Sequence, residues 1–470
     1  MSKCGLTCTL NRHGSGLYCR DRNHQREGAV LYCYPSTTSE DRQLKQVGLC
    51  EAIIKFSENF STKPCESLHT QKARYIFFQP EPGYWFILIL TVPSVVKSSQ
   101  EGIQVTDYKN DDIQDNVFQS CLTRFYQRFI LLNGKLEEMI DNKGLQDLRD
   151  ALRKHLDKSL SKWDPNRAGI NDIFFGLKLL PLQRQMFLRV QCFVNNLLIT
   201  WGSVKHVLVL QGSKLIWSGV NQRDVQVLYD FVVREGIPPD FLEGGKHEKF
   251  NGIVLTCFSF LTMPEVTGYN SDTENGHRKH CNMLVYKEKQ TYVVMLVYAD
   301  KSDFMREFCN KIEDYMKQNL VQLAKDLVDE TKHSNEHSGG LQRIMSSGPF
   351  GLGSGIPAMP TSLIENTANN NVKYVYFNYL NLEEKVSPNC FQGQLEAYKL
   401  LADLKDDLSK NDDHGEVVAK MESDTWIVAK VSNRREYYGM WSNKNANILE
   451  IDEEMRKLTD VHLKHIYFQD

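Results

Sequence analysis

The 470-residue chain carries 56 lysine and arginine residues against 59 aspartate and glutamate residues. The formal charge of -3 gives no general attraction for a phosphate backbone, so we do not expect nucleic acid as a partner. With 41% hydrophobic residues the chain is able to bury several cores, and its length exceeds what one core supports, which predicts three domains.

The cysteines and the apolar segments are typical of a protein from a reducing compartment. Cys192, Cys257 and Cys309 lie inside apolar runs, where cysteine behaves as a small hydrophobic residue. The longest apolar run, residues 85–90, is much shorter than the roughly 20 residues of a bilayer-spanning helix. Neither end carries a recognisable secretory or lipid-attachment signal. We therefore expect a cytoplasmic chain that associates with membranes peripherally.

Changes in composition divide the chain into segments. Residues 331–371 are rich in Ser, Asn and Gly and offer little to bury, which predicts a flexible linker. Pro165 opposes continuation of a helix and indicates an earlier boundary. We predict a first domain at 1–140, a second at 165–330 and a third at 372–470.

Within each domain, strands and amphipathic helices follow one another in a similar order. The first domain is predicted to have strands at 30–34, 74–78 and 84–92 and helices at 44–60 and 113–132. The second is predicted to have strands at 206–210, 214–217, 253–261, 281–286 and 292–298 and helices at 224–233 and from 304, after an added strand (172–182) and helix (186–198). The third is predicted to have strands at 372–379, 416–421, 425–431 and 436–441 and helices at 394–408 and 452–464.

Two strands, a helix, three strands and a helix is the order of a longin domain. The second segment has this order, and the third has it in part, because only one strand precedes its helix. The predicted class is therefore α/β (α+β), with three longin-type domains that are each a mixed, mostly antiparallel sheet flanked by helices.

Few residues are candidates for chemistry. A zinc site usually brings its ligands in close pairs, and among Cys4, Cys8, His13, Cys19, His24 and Cys33 only one three-residue gap occurs, which argues against zinc. The glycine-rich residues 351–355 are not entered by an apolar strand and are not followed by a helix, unlike a phosphate loop. We predict no catalytic residue, no cofactor and no metal ion. A hydrolase with dispersed catalytic residues is an alternative, and it predicts a pocket with convergent polar groups.

Residues 67–74 form a polar cluster just before an apolar strand. Their cations, imidazole, amide and hydroxyls have two interpretations. One is a solvated loop and strand edge. The other is an interface that meets an acidic or phosphate-bearing partner.

Several motifs resemble those of the vacuolar fusion protein Ccz-one family, and together they reach all three predicted domains. They are QVGLCEAI at 46–53, KP at 63–64, SLHTQK at 67–72, LIWSG at 215–219, YVYFNYLNL at 374–382, EK at 384–385, RREY at 434–437 and KNANI at 444–448. One departure is that the family begins on an apolar aromatic strand. Here residues 6–10 lead into a polar, glycine-containing stretch, which leaves the start of the first sheet undefined.

The resemblance implies a subunit without an active site of its own. Such a subunit pairs with a Mon-one family protein to form the guanine-nucleotide exchange factor of the late-endosomal Rab GTPase, at late endosomes, lysosomes or vacuoles and autophagosomes. It also implies that the first longin domains of the two subunits join and that the GTPase binds across them. In metazoan relatives a third, scaffold-like subunit is a further partner. The implied interface residues here are Val47, Leu49, Glu51, His69, Thr70, Gln71, Lys72 and Arg74.

A different class of function fits the same domains. Longin domains also hold trafficking proteins in place, so the chain is alternatively an adaptor or tether that leaves the nucleotide state of a GTPase unchanged.

Overall fold

The computed structural model describes residues 16–21, 30–98, 104–109, 113–234, 252–257, 281–297, 302–344, 372–387, 395–410 and 414–458. In this part of the chain the strands form three five-stranded sheets and one two-stranded hairpin. Neighbouring strands pair antiparallel in each sheet, and helices cover both faces. The predicted class of three mixed helix and sheet domains is confirmed.

The first domain is a sheet with helices on both faces. Its strands are β1 (Gly16–Asp21), β2 (Val30–Tyr34), β3 (Ser67–His69), β4 (Ala73–Glu81), β5 (Tyr84–Thr91) and the hairpin β6 (Ser94–Ser98) and β7 (Gln104–Tyr108). Its helices are α1 (Glu40–Ser57), α2 (Asp115–Asn133), α3 (Leu136–Lys143) and α4 (Leu145–Lys162). The sheet order is β2-β1-β5-β4-β3, which places β2 and β3 at the two edges.

The continuous apolar run of β5 is explained by burial on both sides of the sheet. Successive side chains of a strand point to opposite faces. Ile87 packs in the cluster that contains α1, whereas Leu88 packs in the cluster that contains α2 and α4. Among the described residues, the first strand of the sheet is β1, which pairs with β5 and β2. Residues 6–10 lie outside the described residues.

Helices α3 and α4 differ from the predicted end of the first domain at residue 140, which falls inside α3. Leu148, Leu152, Leu156 and Leu160 are buried in the core of the first domain. Their four-residue spacing places them on one face of α4. The first domain therefore extends to the end of this helix, close to the break at Pro165.

The second domain repeats the plan with the sheet order β10-β11-β12-β8-β9. Its strands are β8 (Val204–Gln211), β9 (Lys214–Ser218), β10 (Gly252–Cys257), β11 (Cys281–Glu288) and β12 (Thr291–Val297). It is preceded by α5 (Ile170–Ile173) and contains α6 (Arg184–Thr200), α7 (Gln222–Arg234) and α8 (Ser302–Ile344). Side chains of α6 and α8 pack on one face, and those of α7 pack on the other.

Helix α8 is longer than predicted. It continues to Ile344, so residues 331–344, whose polar composition predicts a linker, are helical. A polar composition does not stop a helix that is already nucleated, since each added residue only propagates it. Residues 345–371 lie outside the described residues.

The third domain has the sheet order β14-β13-β17-β16-β15. Its strands are β13 (Val372–Asn378), β14 (Glu383–Val386), β15 (His414–Lys420), β16 (Thr425–Ser432) and β17 (Arg435–Ser442), with helices α9 (Leu395–Ser409) and α10 (Ile448–Leu458). The prediction of a single strand before its helix was wrong, because β13 and β14 form a hairpin. Strand β14 has the sequence Glu-Glu-Lys-Val, which lacks apolar alternation.

Helix α2 joins the three domains. Leu122 packs in the first core, Leu131 in the second and Val117 in the third. Arg128 forms an ion pair with Asp230 of α7, in which both side chains are about nine-tenths buried. The domains therefore share one central element.

An extended segment connects the edges of the second and third sheets. Leu177 forms parallel backbone hydrogen bonds with β14 and its preceding turn, at 2.7 and 2.9 Å. The residues that follow, Lys178 and Leu180, bond to Leu215 of β9 at 2.7 and 2.9 Å. The two sheets are thus continuous through this bridging segment, residues 175–180.

Candidate functional site

Helix α1 places one apolar side against the sheet of the first domain. Val47, Cys50 and Ile54 are buried with residues of β4 and β5. Acidic residues in the first turn and Lys55 in the last turn match the helix dipole and favour helix formation here. The sheet contact therefore uses only one of the apolar sides of α1.

A second apolar side of α1 remains exposed. Leu49, Phe56 and Phe60 have exposed fractions of 48%, 65% and 75%, and Ile53 lies between them, partly buried. Because a helix has 3.6 residues per turn, Leu49, Ile53 and Phe56 follow one line along its surface, and Phe60 lies in the turn just after the helix. The rings of Phe56 and Phe60 are in contact, with their centroids 4.8 Å apart. We call Leu49, Ile53, Phe56 and Phe60 the α1 stripe.

The structure separates the three helix residues that the resemblance implied. Val47 is 4% exposed and lies in the core, so it cannot contact a partner directly. Glu51 lies on a different side of α1 from Leu49, two positions away, and pairs with Lys55 at 3.0 Å. Only Leu49 belongs to the stripe. Phe56 and Phe60 were missing from the implied interface, although their spacing along the helix is visible in the sequence.

The remaining implied residues lie at and after edge strand β3. His69 pairs opposite Arg74 in the β3–β4 ladder. The Thr70 hydroxyl donates to the Ala73 carbonyl at 2.6 Å and accepts from the Ala73 amide at 3.0 Å, which closes the turn. Gln71 and Lys72 are exposed at its tip. The turn is therefore fixed in shape and presents an amide and a cation.

Asp115, the first residue of α2, organises this edge. Arg74 is 5% exposed and donates to the Asp115 carboxylate at 2.5 Å. The other carboxylate oxygen lies 2.6 Å from His69 Nε2, a distance that requires a proton between the two atoms, so Nε2 donates. Arg74 therefore holds the Asp115 carboxylate that binds His69. Because Arg74 is buried, it is not a surface residue, contrary to the implied role.

The ionised form of Asp115 is strongly favoured. Burial alone would raise the pKa of this carboxyl, but hydrogen bonds from Ser67 and His69 and the charge of Arg74 bring the pKa below its ordinary value of 3.8. The cluster therefore keeps its negative centre at neutral pH. Asp115 was absent from the implied interface, because it is distant from residues 67–74 in the sequence.

The two groups of implied residues lie on different sides of the sheet. Along β4, Tyr75 packs in the cluster with α1, whereas Ile76 packs in the cluster with α2. By alternation Arg74 shares the α2 side. The β3 edge connects the two sides, since Leu68 packs against the α1 cluster while His69 contacts Asp115. The candidate site is thus an interface of three parts: the α1 stripe, the β3 edge and the β3–β4 turn.

The described residues contain no group of three or more His, Cys, Asp and Glu arranged to hold a metal ion. Of the cysteines and histidines weighed as zinc ligands, those at positions 4, 8, 13 and 24 lie outside the described residues. Within the described part of the chain, no helix has both the length and the apolar composition needed to cross a bilayer.

Comparison with known families assigns the three domains. Residues 17–134 match the model described as the first longin domain of INTU, CCZ1 and HPS4. Residues 204–317 match Intu longin-like domain 2, and residues 368–458 match Intu longin-like domain 3. Each match covers one of the three sheets.

Similar proteins extend over nearly the whole chain. A vacuolar fusion protein CCZ1 homolog of Nematostella vectensis is 29% identical over 95% of this chain and 94% of its own length. Proteins of the same name from Xenopus laevis and Dictyostelium discoideum are 28% and 25% identical, each over 96% of this chain and over 94% and 96% of their own lengths. The chain therefore belongs to the longin-domain family of INTU, CCZ1 and HPS4, and over nearly its whole length it is similar to vacuolar fusion protein CCZ1 homologs.

Proposed function

We propose that this chain acts in membrane trafficking, as one subunit of a two-protein guanine-nucleotide exchange factor for the Rab GTPase of late endosomes. Its relatives are named vacuolar fusion proteins, which supports a role in endosome maturation, vacuole or lysosome fusion and autophagy. The other subunit is a Mon-one family protein, and a scaffold-like third subunit is a further partner. The pair is recruited peripherally from the cytoplasm to late endosomes, lysosomes and autophagosomes.

The observation that carries this proposal is the position of the α1 stripe beside β3, an edge strand of the sheet that the described residues form. Cys65 forms a side-chain hydrogen bond with Ser57, the last residue of α1, so the end of the helix that carries Phe56 lies next to the chain that enters β3. A second longin domain would cover both features at once if its edge strand paired with β3 and its own helix packed on the stripe. Fully burying a Leu or Phe side chain contributes about 1.5–3 kcal/mol, so the stripe supports a stable pair.

The β3–β4 turn is the part of this surface suited to a GTPase. Gln71 and Lys72 are exposed and lie next to the His69–Asp115 pair. The amide and the ammonium group are suited to bind carboxylate and carbonyl groups of a GTPase switch segment once that segment no longer contacts the nucleotide. Since Thr70 closes the turn, little backbone freedom is lost on binding.

Exchange of this kind needs no chemical step from the chain. A partner shifts the equilibrium of a GTPase only by as much as it prefers the open, nucleotide-free form over the closed form. A preformed surface on three packed sheets provides that preference without a general base, a nucleophile or a metal ion. We therefore propose that the chain is not an enzyme in the sense of bond-making chemistry.

Subunit pairing is tested by changing Phe56 and Phe60 to Ser. Because both rings are mostly exposed, the double variant should fold normally and lose binding to the Mon-one family subunit in size-exclusion chromatography. The matched control is Ile199→Ser on α6, which removes a side chain that is 81% exposed and leaves pairing intact. Unchanged pairing of the double variant would show that the stripe is not the subunit interface.

Exchange is tested by following release of a fluorescent nucleotide from the late-endosomal Rab. The assembled pair should accelerate release, and the chain alone should not. Changing Gln71 and Lys72 to Ala should reduce the rate by about tenfold, the effect of losing roughly 1.4 kcal/mol at an interface. Lys205→Ala, at an exposed position in the second domain, is the control. No acceleration by the assembled pair on any Rab would refute exchange activity.

The adaptor or tether remains the second candidate, and the same experiment separates it. An adaptor binds its GTPase equally well with and without nucleotide, so release stays at the intrinsic rate. The exchange factor instead prefers the nucleotide-free GTPase.

A further inference from the structure

Two hairpin turns meet at one end of the third sheet. Residues 379–382 join β13 to β14, and residues 433–434 join β16 to β17. The amide of Tyr379 donates to the carbonyl of Arg434 at 2.9 Å, so the two turns are hydrogen-bonded to each other. We call them the twin turns. Both overlap motifs that resemble the Ccz-one family, YVYFNYLNL and RREY, and neither belongs to the interface proposed for the first domain.

The first of the twin turns is fixed in shape and presents apolar side chains. The Leu380 amide donates to Asn378 Oδ1 at 3.0 Å, and its carbonyl accepts from the Gln222 side chain of α7 at 2.8 Å. The hydroxyl of Tyr379 accepts from Lys405 at 3.1 Å. Tyr379 and Leu380 nevertheless have exposed fractions of 38% and 51%. A ligand would therefore meet an apolar surface that is already ordered, which lowers the entropy lost on binding.

The second of the twin turns carries two arginines that form no ion pair with the described residues. Arg434 is exposed, and Arg435 follows it as the first residue of β17. The Nε atom of Arg435 is buried and has no hydrogen-bond partner. Partial burial of an unpaired guanidinium group is unfavourable, and a carboxylate bound beside it would compensate the charge.

The backbone at Arg434 indicates that its side chain is not needed to form the turn. Asn433 and Arg434 have φ angles of 50° and 60°, the conformation of a two-residue hairpin turn in which glycine is preferred at the second position. Lys289, in a hairpin of the second domain, also has a positive φ of 54°, so this conformation alone does not mark a site. Arg434 differs from Lys289 in its neighbours, which are a second arginine and the exposed side chain of Leu380.

We propose that the twin turns dock an acidic segment of a partner protein, in which carboxylates flank an apolar side chain. The carboxylates pair with Arg434 and Arg435, and the apolar side chain packs on Leu380 beside the ring of Tyr379. A membrane surface fits less well, because acidic residues outnumber basic ones in residues 372–470 and an anionic bilayer would face the whole domain. The proposal concerns the third domain only, so it stands independently of the exchange function.

Binding is measured on the full chain by fluorescence anisotropy with fluorescein-labelled peptides. The probe has a central leucine with two glutamates on each side, and its counterpart has glutamine in place of each glutamate. We expect the glutamate peptide to bind about tenfold more tightly at low salt, and this preference to shrink as salt is added, because two partly exposed charge pairs provide it. Equal binding of the two peptides, or no binding of either, would overturn the proposal.

Arg434→Gly removes the cation and keeps the turn. Because glycine adopts a positive φ readily, the thermal unfolding midpoint should stay the same or rise, while the glutamate peptide should bind about threefold more weakly. Lys289→Gly is the matched control, since it removes an exposed lysine at a positive φ and should leave binding unchanged. Unchanged binding by the Arg434 variant, or an equal loss in the control, would refute a site at the twin turns.

The apolar contact is tested by Leu380→Ser, which should weaken binding of the glutamate peptide by about fivefold. The control is Leu449→Ser at the start of α10, which removes a leucine that is 73% exposed and should leave binding unchanged. No effect of Leu380→Ser would contradict the apolar part of the proposal.

Vesicles separate a membrane from a protein ligand. Vesicles of phosphatidylserine and phosphatidylcholine should not displace the glutamate peptide from the full chain. Displacement by these vesicles, together with vesicle binding that is lost in the Arg434→Gly variant, would assign the twin turns to a membrane and overturn the proposal.

Discussion

The bridging segment between the second and third sheets depends on the absence of a side chain at Gly176. A Cβ atom built there would overlap the Cβ of Glu384 and would lie 2.6 Å from its Oε2 and 3.0 Å from its Cγ. The Cβ of Glu384 is fixed to the backbone of β14, so a change of rotamer does not relieve the overlap. Gly176→Ala therefore forces the segment away from the third sheet.

The magnitude follows from the contacts that this shift breaks. Overpacking by one methyl group costs about 1–3 kcal/mol. The hydrogen bonds from Gly176 N to Glu384 Oε2 (3.2 Å) and from Glu384 N to the Leu177 carbonyl (2.9 Å) each contribute roughly 1 kcal/mol. We expect the local opening free energy to fall by about 3–5 kcal/mol.

The assay is amide hydrogen exchange at Leu177 and Glu384, whose amides form the bridge. The expected loss corresponds to exchange that is roughly 150- to 4,000-fold faster. Gly202→Ala is the matched control, because nothing lies within 4 Å of the Cβ that it adds. Unchanged exchange in the Gly176 variant would show that the bridge does not restrain the two sheets.

Three further results are expected. Arg128→Met leaves the carboxylate of Asp230 buried without its main partner and should lower stability by about 3–5 kcal/mol, and adding Asp230→Leu should recover most of the loss in chemical denaturation. Burial and the charge of Arg128 lower the pKa of His155 from 6.5 to about 4, so its neutral form stabilises the fold above pH 6.5. That contribution, roughly 3 kcal/mol, is lost as the pH falls to about 4, and His155→Phe should flatten this part of the stability profile. Phe56→Ser alone should leave the melting temperature within about a degree of the unsubstituted chain, since 65% of the side chain is already exposed.

Helix α1 shows how much of the candidate site can be predicted from the sequence. The three- and four-residue spacing of its apolar residues correctly predicts a helix, and the surplus of such residues indicates more than one apolar side. Which side faces the sheet depends on contacts with Tyr75 and Phe77 of β4, which are distant in sequence. The sequence therefore reveals both sides of the helix without identifying the exposed one.

At the β3 edge, by contrast, the sequence does not predict which residues are buried or which strands form. From the sequence alone, Arg74 is expected at the surface, because it lies in a polar cluster. In the structure it is buried and pairs with Asp115 at the start of α2. Strands β3 and β14 were missed because they are short and carry polar residues. Both belong to the sheets through backbone hydrogen bonds, which side-chain patterns do not report.

The position of α2 among the three domains limits how the chain can be shortened. A fragment ending after the first domain would expose Val117 and Leu131, whose neighbours come from the third and second domains. It would also leave the guanidinium of Arg128 without Asp230 and the amide of Asn116 without the Ala402 carbonyl. Partner-binding experiments with such a fragment would measure non-specific binding to the apolar surface that truncation exposes. Point substitutions in the full chain are therefore better suited than truncations for locating the interfaces of this protein.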